Sequence, residues 1–316
     1  IDPAPDDPKP SFPTPRIPEP EAPGAGDAIT FQLNAAAYTV NVMKTAMPRI
    51  PQFPALNKKP GFVRGYVYDT NGRPLKGARL GVRSTAVGGF YSGGDAGTDE
   101  KGYYEVAVPS GVAHFYCAGY VIEYGEGIAA LGLHPADGAA ESFASPNGEV
   151  ENFVLLPYGI ADRAGVQDNP RYCNNYYGGT VILSWYIDDD RPIFSNPKYL
   201  PNDSEIEFTL TPDGPLIDGS RGRPIVIRKK VSSSTTGQLY INNIPVGPYQ
   251  VTAKLVGGGA LRMRETGPNG GQAFGIEPKE ATGKAALLLR PSGAKANSAG
   301  AAHGNWAQIS ISLERR

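Results

Sequence analysis

Apolar and polar positions alternate along most of this chain with a period of two, the spacing of a half-buried strand. Val63, Gly65 and Val67 alternate with Arg64, Tyr66 and Tyr68, and the run breaks at Asp69-Thr70-Asn71-Gly72. Asn-Gly accepts positive φ at both central turn positions, so the break predicts a hairpin into a second strand at residues 78–83. A Gly-rich excursion leads to another turn at Asp99-Glu100-Lys101-Gly102. Tyr103 to Val108 then alternate again and stop at Pro109-Ser110-Gly111. Further strands are expected at residues 114–123, 150–156, 180–187, 205–210, 223–231, 238–244, 285–290 and 306–313. The Gly- and Ala-rich residues 125–146 read as a long surface loop, and so do residues 159–179. No segment sustains a 3.6 period, so helix is expected in well under a fifth of the chain.

The two halves echo one another. Residues 66–74 (YVYDTNGRP) are matched by residues 208–215 (FTLTPDGP), and residues 102–111 by residues 237–247. Each half holds strand, turn, strand, turn, strand, Pro-x-Gly, strand, which predicts two copies of one sandwich.

Residues 65–78 carry the pattern G-x-V-x-D-x-x-G-x-P-x-x-G-A as Gly65, Val67, Asp69, Gly72, Pro74, Gly77 and Ala78. Thr98-Asp99-Glu100-Lys101-Gly102-Tyr103-Tyr104 continues it as T-D-x-x-G-x-Y. This block resembles the carboxypeptidase regulatory-like domain, a transthyretin-like (prealbumin-like) β-sandwich. The resemblance covers about residues 61–120, and the second half matches it loosely through Ile244-Pro245-Val246-Gly247-x-Tyr249. It implies an exported, non-catalytic module whose glycines and prolines are turn residues, so no functional site carries over. The expected architecture is all-β: two tandem transthyretin-like/Ig-like sandwiches at residues 61–160 and 161–316, behind an extended N-terminal arm.

That arm comes from composition. Nine prolines fall within the first 23 positions, and proline lacks a backbone donor, so residues 1–27 are expected to be extended or disordered. Residues 28–60 hold a lone strand segment and a second Pro-rich linker at residues 48–60. In the strand segment Ile29, Phe31 and Leu33, then Tyr38, Val40 and Val42, alternate with polar residues. Such a strand cannot bury its face locally and must join a sheet elsewhere. It docks either in its own chain or in a neighbouring subunit by strand addition, which would build a head-to-tail fibre.

Lys+Arg 30 against Asp+Glu 31 leaves a net charge of −1, so no overall field favours nucleic acid or an anionic membrane. No apolar run reaches the length of a transmembrane helix. The chain opens on Ile1 rather than Met, which reads as a processed, secreted or cell-surface form. In an oxidising compartment Cys117 and Cys173, the two cysteines, would pair and close a loop on the first sandwich. Two separate buried thiols are the alternative.

The sequence points to no enzyme. His114, His134 and His303 have no nucleophile, acid or metal partner at a recognisable spacing, and no cofactor motif is present. Asp188-Asp189-Asp190 reads as a solvated turn, since its spacing is not that of a calcium loop. Tyr172, Asn174, Asn175, Tyr176 and Tyr177, with Trp185 nearby, supply aromatic faces and amides of the kind that bind sugar. Two functions from different classes follow. One is a structural subunit or surface scaffold that self-associates through residues 28–43. The other is a tethered module that binds glycan or a surface protein through its Tyr/Asn-rich loop. The destination of residues 28–43 separates them.

Overall fold

The computed structural model describes residues 28–85, 91–188, 196–268 and 273–316. The Pro-rich residues 1–27 lie outside the described residues, as do Asp189 and Asp190. Strand accounts for 48% of the structure and helix for 6%, so the chain is all-β.

Two short strands come first, β1 (Ile29–Leu33) and β2 (Thr39–Asn41). The first sandwich follows with β3 (Phe62–Asp69), β4 (Arg79–Thr85), β5 (Tyr91–Gly97), β6 (Tyr103–Ala107), β7 (Val112–Tyr124), β8 (Gly127–Gly132) and β9 (Phe153–Leu155). One sheet runs β5-β4-β7-β8 and the other β6-β3-β9, with β9 parallel to β3. The alternation read from β3 holds: Val63, Gly65 and Val67 are buried, whereas Arg64, Tyr66 and Tyr68 are only partly covered. Between the sheets Phe115 meets Phe153 edge-on at 5.0 Å, among Val67, Leu80, Val82 and Val106.

The turns work differently from the expected hairpin. The strand β3 does not pair with β4, which lies in the opposite sheet. At the first turn Gly72 alone takes positive φ, at 78°. The Asp69 carboxylate holds the loop, accepting from the backbone N–H of Asn71 and of Arg73, each at 2.9 Å. Asp99 does the same for Lys101 and Tyr103 at 2.8 and 2.9 Å. These are Asx turns, in which a short carboxylate stands in for a backbone acceptor. Residues 125–146 are not a surface loop, because β8 pairs with β7 and buries Ala129, Ala130 and Leu131.

The second sandwich contains β10 (Gly179–Trp185), β11 (Glu205–Pro212), β12 (Ile225–Lys230), β13 (Gln238–Ile244), β14 (Tyr249–Leu255), β15 (Arg262–Thr266), β16 (Gly275–Glu277), β17 (Lys284–Leu288) and β18 (Ile309–Glu314). Its sheets run β1-β12-β11-β14-β17-β16 and β2-β13-β10-β18-β15. Without the outermost strands, this is the wiring of the first sandwich. The strand β10 takes the place of β3, β11 of β4, β12 of β5, β13 of β6, β14 of β7, β17 of β8 and β18 of β9. Even the parallel pairing of first and last strands recurs, as β10 with β18. The echo of residues 102–111 in 237–247 is therefore the structural register. That of residues 66–74 in 208–215 is one strand out, because β11 matches β4 rather than β3.

The segment of residues 28–43 joins this second sandwich, in its own chain. The strand β1 lies parallel to β12 and β2 parallel to β13, so one segment extends an edge of each sheet. Val40 and Val42 are buried, while Ile29, Phe31 and Leu33 are half-buried and Tyr38 is exposed. The segment thus caps edges as well as contributing to a core.

The boundary between the compact units falls after Leu155, and residues 293–301 belong to the first unit although the surrounding chain belongs to the second. There Ala118 N–H donates to the Ala299 carbonyl at 3.1 Å and Ala130 N–H to the Gly293 carbonyl at 3.0 Å. Gly119 permits the approach, since a Cβ on it would lie 2.1 Å from the Ala296 carbonyl oxygen.

Candidate functional site

The loop at residues 159–179 is built inward. Asp162 caps the short helix α1 (Arg163–Asp168) by accepting from Gly165 N–H at 2.8 Å. Asn175 is buried, donates to the Asn169 carbonyl at 2.9 Å and accepts from Ala161 N–H at its own carbonyl. Tyr176 is buried with its hydroxyl on the Pro170 carbonyl at 2.9 Å, and the buried Tyr177 carbonyl accepts from Trp306 Nε1 at 2.7 Å. Burial raises both phenols, that of Tyr176 to about 12. Trp185 is buried, and among the described residues its indole N–H has no acceptor. Of the six residues expected to form a sugar platform, Tyr172 is exposed and Asn174 is partly so. The other four pack inside, so the rings of Tyr176, Tyr177 and Trp185 cannot stack on a ligand.

What the loop does present is Arg171, on the rim of an open groove of about 770 Å³ in the second unit. One wall is the chain crossing from β1 to β2, through Ala36 and Tyr38. The floor is the outer face of β13, where Gln238 and Tyr240 project on the same side two residues apart. The opposite wall is the polar run of residues 233–236, SSTT. The Arg171 guanidinium stands over the Tyr240 ring, 5.6 Å from its centroid. The backbone locks the Tyr38 wall to the floor, since Tyr240 N–H donates to the Tyr38 carbonyl at 2.9 Å. The buried Asn242 continues the seam, reaching Thr39 Oγ1 at 3.0 Å and the Pro170 carbonyl at 2.9 Å. The groove therefore depends on three distant stretches: the crossover, the loop at residues 159–179 and β13. Sequence reasoning placed function in that loop but missed Arg171, Gln238 and Tyr240. No spacing along the chain relates them to Tyr38.

Two buried charged clusters elsewhere serve the fold. Glu265, buried, accepts from Arg290 Nη2 at 2.5 Å, Lys279 Nζ at 3.2 Å and Ile276 N–H at 3.0 Å. A Cβ on Gly275 would sit 2.0 Å from its carboxylate, so this cluster ties the sandwich together and leaves no room for a ligand. The buried ammonium of Lys229 donates to the carbonyls of Asn34, Ala35 and Lys230 at 2.9, 2.8 and 2.7 Å. His114 accepts from Arg83 Nε at 2.8 Å, His134 is buried and His303 is exposed. The three belong to separate places in the fold. Among the described residues no three His, Cys, Asp or Glu side chains converge to hold a metal ion.

The expected Cys117–Cys173 disulfide is not formed. Both cysteines are free and buried. The Cys117 thiol lies 3.5 Å from the Ala296 carbonyl, and Cys173 contacts Asn174 Oδ1 at 3.9 Å. Burial pushes the Cys117 thiol up to about 11 and raises that of Cys173, which keeps both protonated and unreactive.

The chain matches no family model and no curated protein. Among solved structures it is similar to the TIE protein of Bacillus anthracis, at 14% identity and a TM-score of 0.31, covering 81% of this chain and 34% of that one. It is also similar to a streptococcal ancillary pilin at 12% identity and a TM-score of 0.22, covering 61% of this chain and 52% of that one. A third is the shaft pilin SpaA of Lactobacillus rhamnosus GG, at 11% identity and a TM-score of 0.22, covering 81% and 98%. The chain thus spans about a third of the first neighbour and half of the second. Among the described residues no helix is long and apolar enough to cross a membrane.

Proposed function

We propose that this chain is a non-enzymatic β-sandwich scaffold of an exported or cell-surface protein, of the carboxypeptidase regulatory-like kind, and that its second unit binds glycan. The observation that carries the reading is the groove, where Tyr38, Tyr240 and Arg171 converge with hydroxyls and an amide around them. Sugars present apolar ring faces and rings of hydroxyls. Tyrosine faces and a mixed donor and acceptor rim complement both. The destination of residues 28–43 supports the same choice. They extend one edge of each sheet of their own sandwich, with the crossover held by Lys229, so donating them to a neighbour would strip the groove of its Tyr38 wall. A fibre built by strand addition is not proposed.

A glycan array probed with the purified chain tests this reading. Binding to a subset of glycans that is lost in Tyr240→Ala, with unchanged circular dichroism, supports it. Absence of binding to any glycan, or binding indifferent to Tyr240→Ala and Tyr38→Ala, overturns it.

A further inference from the structure

Resting on the glycan reading, we infer that the groove selects a carboxylated sugar, with Arg171 as its specificity determinant. The lining of the groove contains one cation and no carboxylate. Among the described residues Arg171 makes no ion pair, and its packed neighbour is the ring of Tyr240. A guanidinium near an aromatic face and outside any ion pair keeps N–H donors that a carboxylate can take in pairs.

The backbone beneath Arg171 is fixed from several sides. Its carbonyl accepts from Gln308 Nε2 at 3.1 Å. The adjacent Pro170 carbonyl accepts from both Tyr176 Oη and Asn242 Nδ2, each at 2.9 Å. A cation presented from so well-tied a stretch loses little freedom on binding, which favours affinity.

The rest of the groove suits the sugar that would carry the acid. The facing loop is self-bonded through Ser232 and Thr235, and Ser233 N–H donates to Asn202 Oδ1 at 2.9 Å. Among the described residues the hydroxyls of Ser233 and Thr236 and the amide of Gln238 make no hydrogen bond, so they are available to sugar hydroxyls. An acidic peptide would satisfy Arg171 but would leave this hydroxyl rim unused, which is why the sugar is preferred.

Uronic-acid tetrasaccharides and their methyl esters separate charge from shape, because the ester keeps the ring and its hydroxyls and removes only the charge. Titration calorimetry on the full chain should show the acid binding about tenfold or more tightly than the ester, with the gap closing at high salt. Arg171→Gln should abolish the preference, so that acid and ester bind with equal affinity, and Arg171→Lys should restore part of it. Equal binding of acid and ester to the native chain, or equal loss of both in Arg171→Gln, overturns the inference while glycan binding stands. Binding of neither probe overturns the inference, and the glycan array then decides separately whether the reading beneath it survives.

Discussion

Lys229 Nζ lies 2.9 Å from the carbonyl oxygen of Asn34, a residue 195 positions away in sequence. The ammonium is fully buried and also holds the carbonyls of Ala35 and Lys230, with the Trp185 ring 5.9 Å away. It fastens the crossover between β1 and β2, and with it one wall of the groove. Lys229→Met should destabilise the fold by about 1–3 kcal/mol, since it removes charged donors from three carbonyls. Limited proteolysis should then cut within residues 28–43 faster than in the native chain. Uptake of the variant into the fold with unchanged stability and protease resistance would remove Lys229 from this role.

The same lysine has a pH signature. Burial pushes its ammonium down from 10.5 to about 8. Between those values the unfolded chain binds more protons than the folded one, so this residue makes stability rise with pH from about 8 to about 10.5. The stability gap between the native chain and Lys229→Met should widen across that window. Chemical denaturation of both at pH 7 and pH 10 measures it, and a constant gap contradicts the assignment.

Glu151 works in the opposite sense in the first unit. Burial, and then the negative charges of Asp137 and Glu149, push its carboxyl from 4.5 up to about 8. The folded chain holds this proton between pH 4.5 and 8 while the unfolded chain releases it, so stability falls as pH rises through that window. Glu151→Gln keeps the shape and should stabilise the protein by up to about 3 kcal/mol at pH 7, with little effect at pH 4. A variant equally stable with the native chain at both pH values would refute this.

Gly65 admits the Glu151 backbone. A Cβ at position 65 would stand 1.7 Å from the Glu151 carbonyl oxygen, which already accepts the Tyr104 hydroxyl at 2.7 Å. Gly65→Ala should therefore cost about 3–5 kcal/mol by forcing two backbones apart. Gly97→Ala, where the nearest atom is 3.7 Å away, is the control and should be close to neutral. Similar denaturation midpoints for the two variants would overturn the argument.

The cysteines should titrate as two thiols per chain in denatured, unreduced protein. In the native protein they should react slowly, because both are buried and both thiols are held above their ordinary range. A thiol count of zero after denaturation would show that they pair.

Period-two alternation determined the all-β class and most strands, because a strand with one covered face must alternate whatever its partner. In β3 that pattern survives residue by residue, and Asp69 and Asp99 mark turns because an Asx side chain closes its own loop locally. The strands that escaped sequence reasoning, β5, β8, β15 and β16, are rich in Gly or Ala or carry charges on the open face. Their pairing with neighbours leaves no period-two alternation in the sequence to announce it. Partner choice was equally hidden: residues 28–43 announced a strand, but only the tertiary structure decided that it splits across both sheets of its own sandwich. Tyr176, Tyr177 and Trp185 have the composition of a binding surface, yet they face inward, because a ring serves a core and a ligand equally well and only packing chooses between them. The groove itself depends on Tyr38, Arg171 and Tyr240 meeting across about 200 positions of sequence. Such a site is a property of chain topology, and local residue pattern carries no trace of it.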